Sequence, residues 1–117
     1  MKTLKALLAL SLWCLTCAVS AQTFPSKPIR IVIGFPAGGP LDQHARLLSD
    51  RLQAVLGQPV LVDYKAGAGG TVGAQEVMKA APDGYTLMLA NTGVMVINPA
   101  LYTKLPYATL KDFTPVA

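Results

Sequence analysis

A run of Ile and Val, Ile29 to Ile33, stops at Gly34 and passes at once through Phe35-Pro36-Ala37-Gly38-Gly39-Pro40 into a segment with helical spacing. Nearly continuous apolarity over so short a span predicts a strand covered on both faces, and the Pro/Gly turn behind it predicts a helix start. Such a corner gathers unpaired backbone N–H groups and the positive end of a helix dipole, an arrangement suited to anions. A second glycine corner, Gly67-Ala68-Gly69-Gly70, follows the next strand-like run, Val60 to Tyr64. Two such corners point to a small-molecule site rather than a purely structural domain.

The remaining pattern repeats this grammar. The first strand is expected over Ile29–Phe35, with Arg30 reaching solvent at its start. Leu41, Ala45, Leu48, Leu52 and Val55 recur at spacings of three and four, so residues 41–56 read as an amphipathic helix ended by Gly57 and Pro59. Thr71 to Ala81 reads as a weaker helix, with Val77, Met78 and Ala81 on one face and Gly73 lowering its propensity. Pro82-Asp83-Gly84 is a turn, Tyr85–Ala90 a third strand, and Asn91-Thr92-Gly93 its end. The order β-α-β-α-β with short connections predicts an α/β fold with a parallel sheet. Its strand ends, at Phe35, Tyr64 and Asn91, would share one rim, where open α/β sheets bind ligands. Beyond Gly93 the pattern weakens: a short helix or turn at 97–102, a loop at 103–109, and a strand beginning at Phe113–Ala117.

The first 21 residues read differently. Lys2 and Lys5, the apolar run from Ala6 to Leu15, and Val19-Ser20-Ala21 have the layout of a secretory signal peptide cleaved after Ala21. The apolar run is short against the roughly 20 residues of a spanning helix. Cys14 and Cys17 spell C-x-x-C but lie inside this segment, so no redox or metal chemistry is assigned to them. The mature chain would be 96 residues long, about one small domain, without cysteine and destined for the periplasm. Loss of Lys2 and Lys5 leaves eight Lys/Arg against six acids, so the formal charge falls from +4 to +2. The charges are scattered, which leaves no footprint for nucleic acid.

Candidate binding residues follow from the rim. Phe35, Pro36, Ala37, Gly38 and Gly39 form the first, competing with a plain strand-to-helix turn. Gly67, Gly69 and Gly70 form the second, competing with a flexible loop. A dinucleotide-loop reading fails there because Val72 takes the third glycine position. Asn91, Thr92 and Gly93 form the third, where an amide, a hydroxyl and bare backbone suit a carboxylate, or equally a helix cap. Asp42 would repel an anionic ligand directly, so it is expected to accept backbone N–H bonds and fix the first loop. His44, the single histidine, reads as a solvated surface residue, and no catalytic or metal residue and no cofactor is assigned.

In order along the chain, Phe24-Pro25-Ser26-Lys27-Pro28-Ile29, Phe35-Pro36-Ala37-Gly38-Gly39 with Asp42, Gly67-Ala68-Gly69-Gly70-Thr71, Ala81-Pro82-Asp83-Gly84-Tyr85-Thr86, Asn98-Pro99-Ala100-Leu101-Tyr102 and Asp112-Phe113-Thr114-Pro115-Val116-Ala117 resemble the Bug family. These are extracytoplasmic substrate-binding proteins of tripartite tricarboxylate transporters. The resemblance implies a two-lobed, type II periplasmic-binding-protein-like fold. It implies a small carboxylate held between the lobes, largely by loop backbone and water. It also implies two integral membrane subunits as partners, and the chain itself is expected to be a monomer. Members of the family are longer, so the resemblance implies a truncated chain carrying part of the first lobe only, at residues 22–117. The family usually has Ser or Thr where this chain has Pro40, and no side-chain contact is carried over there. The competing readings are a non-functional truncated fragment and a secreted enzyme. The enzyme reading lacks G-x-S-x-G, H-E-x-x-H and a P-loop.

Overall fold

The structure, a computed structural model, describes residues 23–117, and the expected signal peptide with Cys14 and Cys17 falls outside them. Strand β1 (Ile29–Ile33) is central in a three-stranded, all-parallel sheet of order β2-β1-β3. Its partners are β2 (Val60–Tyr64) and β3 (Thr86–Met88). In register, Ile31 lies between Val62 and Leu87. Ile29, Ile31, Val32 and Ile33 are all buried, as a strand covered on both faces requires.

The pleat sorts this sheet into two cores. On one face Ile29, Ile31 and Val60 pack with Leu87 and Leu89 against Leu52 and Leu56 of helix α1 (Pro40–Leu56). On the other, Met88 joins Ala74 and Met78 of helix α2 (Thr71–Met78), with Val94 and Tyr107. The helices therefore cover opposite faces. The third strand is shorter than expected, although Tyr85 and Leu89 extend its ladder through Arg30 N–H to Tyr85 C=O (2.8 Å) and Leu89 N–H to Val32 C=O (3.1 Å).

Two details correct the sequence reading. Arg30 is not simply solvated: its guanidinium donates to Asp63 at 3.0 Å and Glu76 at 3.1 Å. The register places Leu61 opposite Arg30, so Asp63, two residues on, shares its face, and α2 brings Glu76 over it. The inward face of α1 is also rotated by about one residue. Asp42, Ala45 and Ser49 are buried, whereas Val55 is 82% exposed. The helix is turned inward by Asp42, whose hydrogen bonds tie it to the first loop and to β2. Its ends match expectation: Pro40 stands at the first helical position, and Gly57 (φ 66°) caps the other end.

The connection from β2 to β3 must cross β1, and it does so by backbone contact. A Cβ on Gly73 would lie 2.7 Å from Gly34 Cα. Gly73, which lowers the propensity of α2, is what lets that helix approach. After β3, a wide helical turn at Gly93–Ile97 runs into the short helix α3 (Asn98–Leu101). The chain then folds back through helix α4 (Thr109–Asp112). The Tyr107 hydroxyl donates to the Val94 carbonyl, and Thr109 Oγ1 donates to the Met95 carbonyl at 3.0 Å. Residues 113–117 form no strand; Phe113 instead packs edge-on against Tyr107, with ring centroids 5.7 Å apart. Among the described residues no helix is long and apolar enough to cross a membrane.

At the opposite rim the lead-in is clamped to the start of β3. Phe24 packs tilted against Tyr85, with ring centroids 4.9 Å apart; the Tyr85 hydroxyl accepts the Ser26 N–H at 2.8 Å, and Lys27 pairs with Asp83 at 3.1 Å.

Gly73→Ala should destabilise the protein by about 1–3 kcal/mol, because a methyl forced against backbone outweighs the gain in helix propensity. Urea unfolding monitored by far-UV circular dichroism checks this, and an unchanged or raised midpoint would contradict the close approach.

Candidate carboxylate-binding rim

Because β2 and β3 flank β1 on opposite sides, the chain leaves β1 in one direction and returns in the other. The crevice beyond the carboxyl ends of β1 and β3 is therefore the topological switch point of the sheet. All three predicted loops lie on that rim. They are also brought together: a Cβ on Gly70 would collide with Val94 Cγ2 and lie 3.3 Å from Phe35 Cε2. The second loop thus sits on the side chain that starts the first loop and on the turn that follows the third.

Within the first loop the residues divide. Phe35 is half-buried and packs into the α2-side core, so its ring supports the loop from beneath. Pro36, Ala37 and Gly38 are exposed, and Gly39 is half-exposed at the N-cap of α1. Gly39 C=O accepts the N–H groups of Asp42 (3.1 Å) and Gln43 (3.3 Å). Among the described residues no protein group accepts the N–H of Gly39 or Leu41, which leaves two free donors at the positive end of a 17-residue helix.

In the second loop Gly67 and Gly69 are exposed and Gly70 is buried. Asn98 holds this loop by donating its Nδ2 to Gly69 C=O at 3.1 Å. Asn98 was not among the sequence candidates. Its Asn-Pro context reads locally as a turn, and no periodic signal relates it to a loop 29 residues earlier. In the third, Asn91 and Thr92 are exposed and Gly93 is half-buried. Asn91 Oδ1 accepts the Val94 N–H at 3.1 Å, a capping bond, which leaves its amide N–H groups for other partners. Beside the second loop lies a shallow cavity of 230 Å³ lined by Ala68, Thr71, Tyr102, Lys104, Leu105 and Pro106.

Asp42 is buried beneath the first loop and is saturated with donors. Its Oδ2 accepts the Gly38 N–H at 2.8 Å, and its Oδ1 accepts the Tyr64 hydroxyl at 2.6 Å and Arg46 Nε at 2.8 Å. The Tyr64 hydroxyl, followed by the Gly38 N–H and Arg46, holds this carboxyl below its ordinary range, and the same bond pushes the Tyr64 hydroxyl up. Arg46 offsets the negative charge on the spot, so Asp42 does not cancel the field of the helix N-terminus. His44 is exposed and donates Nδ1–H to the Pro40 carbonyl at 2.7 Å. Among the described residues no group of His, Cys, Asp and Glu is placed to hold a metal ion. The rim offers donors suited to holding an anion.

The fold is shared with known proteins. A family model described as tripartite tricarboxylate transporter family receptor matches residues 44–117. The chain is 50% identical over 100 residues to a UPF0065 protein of Bordetella bronchiseptica, covering 86% of this chain and 30% of that one. MatC of Rhodopseudomonas palustris, solved with bound malate, superposes with a TM-score of 0.76 at 44% identity, over 80% of this chain and 32% of that one. The periplasmic binding protein BugD superposes with a TM-score of 0.74 at 40% identity, over 79% and 30%. The chain spans about 30% of the length of the relatives it matches. With most of its described residues matched by the family model and its rim built on the same fold as these binding proteins, the chain belongs to the tripartite tricarboxylate transporter receptor family.

Proposed function

We propose that this chain forms part of a periplasmic receptor that captures a small carboxylate and presents it to the membrane subunits of a tripartite transporter. The observation that carries this reading is the convergence of three loops at the switch point of the sheet, with the N-terminus of α1 opening onto it. In this reading Gly39, Gly67, Gly69 and the Asn91–Gly93 segment supply the contacts, Gly38, whose N–H is taken by Asp42, gives the loop its close backbone approach, and Phe35 and Gly70 hold the loops together. Backbone N–H groups select for an anionic oxygen without fixing the rest of the molecule. Malate bound to MatC supports a carboxylate as the ligand class. No covalent step is assigned to the rim.

Malate at about 100 times its dissociation constant should stabilise the folded chain by about 2.7 kcal/mol, which for a domain of this size raises Tm by more than roughly 10 °C. Far-UV circular dichroism melts against malate and a panel of other small carboxylates check this. No shift with any member of the panel would count against the reading.

Gly38 stands at φ +88° with open space around it, so Gly38→Val is opposed by backbone conformation rather than by collision. The substitution should weaken carboxylate binding by about five- to thirtyfold, from the roughly 1–2 kcal/mol penalty of that conformation, while the far-UV spectrum stays folded. Titration calorimetry with the carboxylate identified by the melts checks it, and unchanged affinity would remove Gly38 from the site.

A further inference from the structure

We infer that Tyr64 and Arg46 are positioning residues for the first loop, holding the Gly38 peptide in place through the Asp42 carboxylate. The functional side of this inference rests on the reading of Phe35–Gly39 as a ligand element. The geometry is a closed triangle. Tyr64 Oη donates to Asp42 Oδ1, Arg46 Nε donates to the same oxygen, and Arg46 Nη2 donates to Tyr64 Oη at 2.8 Å. The free vertex, Asp42 Oδ2, takes the Gly38 N–H. One side chain of α1 and one of β2 thus immobilise a carboxylate that fixes a peptide in a third element, the loop after β1.

Two further facts give the triangle its importance. Packing does not hold Gly38, because a Cβ built there meets nothing within 4 Å. Its left-handed conformation is fixed by the bond to Asp42, which is charge-assisted and stronger than a neutral one. Tyr64, in turn, is the last residue of β2 and pairs in register with Ile33. The loop is therefore referenced to the sheet itself, and its unbonded donors keep a constant position relative to the second loop. A ligand anchored by backbone donors depends on that constancy, since an N–H displaced by a fraction of an ångström forms a weaker bond.

The groups facing Asp42 are Arg46 from its own helix, Tyr64 from β2 and the Gly38 peptide from the loop. All three favour the ionised carboxyl, so it is more acidic in the folded chain than its ordinary value of 3.8. The latch is therefore intact above that ordinary value and is lost as pH falls through the lower, folded one.

The test is amide spectroscopy of the ¹⁵N-labelled chain and of Y64F and R46M. The Gly38 amide is followed through acid titration and through hydrogen exchange near neutrality. Y64F removes one hydroxyl and Arg46 is largely exposed, so both should fold, as far-UV circular dichroism would show. In the parent chain the Gly38 amide should be protected and titrate below 3.8. In the variants the midpoint should move up, exchange should quicken by about two- to tenfold, and malate affinity should fall by a similar factor. A Gly38 amide unmoved in both variants overturns the latch. Malate affinity unchanged in variants whose Gly38 amide has moved overturns the positioning role. If the parent chain binds no small carboxylate, that failure falls on the proposed function, because the amide reports the loop with no ligand present.

Discussion

Between Gly34 and Gly73 there is no room for a methyl group, and the arrangement of the rim depends on that contact. The sheet order obliges the chain to pass from one side of β1 to the other. It makes the passage directly over the end of β1, backbone on backbone. A side chain at Gly73 would lift α2 away from the sheet, and one at Gly34 would strike the Gly70 backbone just ahead of that helix. Either would also carry Gly67–Gly70 off Phe35 and Val94, and the three loops would no longer share one corner. A sequence that must bring loops together needs small residues under the crossing, which gives a glycine in mid-helix a reason that outweighs its poor propensity.

Much of this was legible in the sequence because two periodicities are strong. The unbroken apolar run of β1 and the three-four spacing of α1 leave little choice of element or class, and Gly57 marks a helix end wherever it occurs. The errors have a common physical origin in polar residues whose partners lie far along the chain. Arg30 reads as solvated until Asp63 and Glu76 are placed beside it. Asp42 and Ser49 are polar, so the apolar face that α1 shows in sequence lies one residue away from where burial occurs. The wide turn at Gly93–Ile97 follows neither helical nor strand period, and the residues after it are ordered by Tyr107 and Thr109 bonding back to carbonyls of that turn.

At the site, the glycine corners were visible as corners, but their division of labour was not. Phe35 and Gly70 prove to be the joinery between loops, while the free donors belong to Gly39 and Leu41. Asn98 and Tyr64 were invisible for the same reason as Arg30: each acts on a segment distant in sequence. An acid so close to an anion-attracting helix end is contradictory on paper. The structure resolves this by pairing it with Arg46 and covering it with the loop it supports.

The clamp of Phe24, Ser26 and Lys27 onto Tyr85 and Asp83 lies at the beginnings of the strands, across the full length of the sheet from the glycine loops. The two ends of the sheet are thereby separated in purpose. An affinity handle, a fluorophore or an immobilising linker joined ahead of Thr23 would emerge from the far side and leave the loop corner unobstructed, which makes that end the natural place to fasten the molecule to a surface.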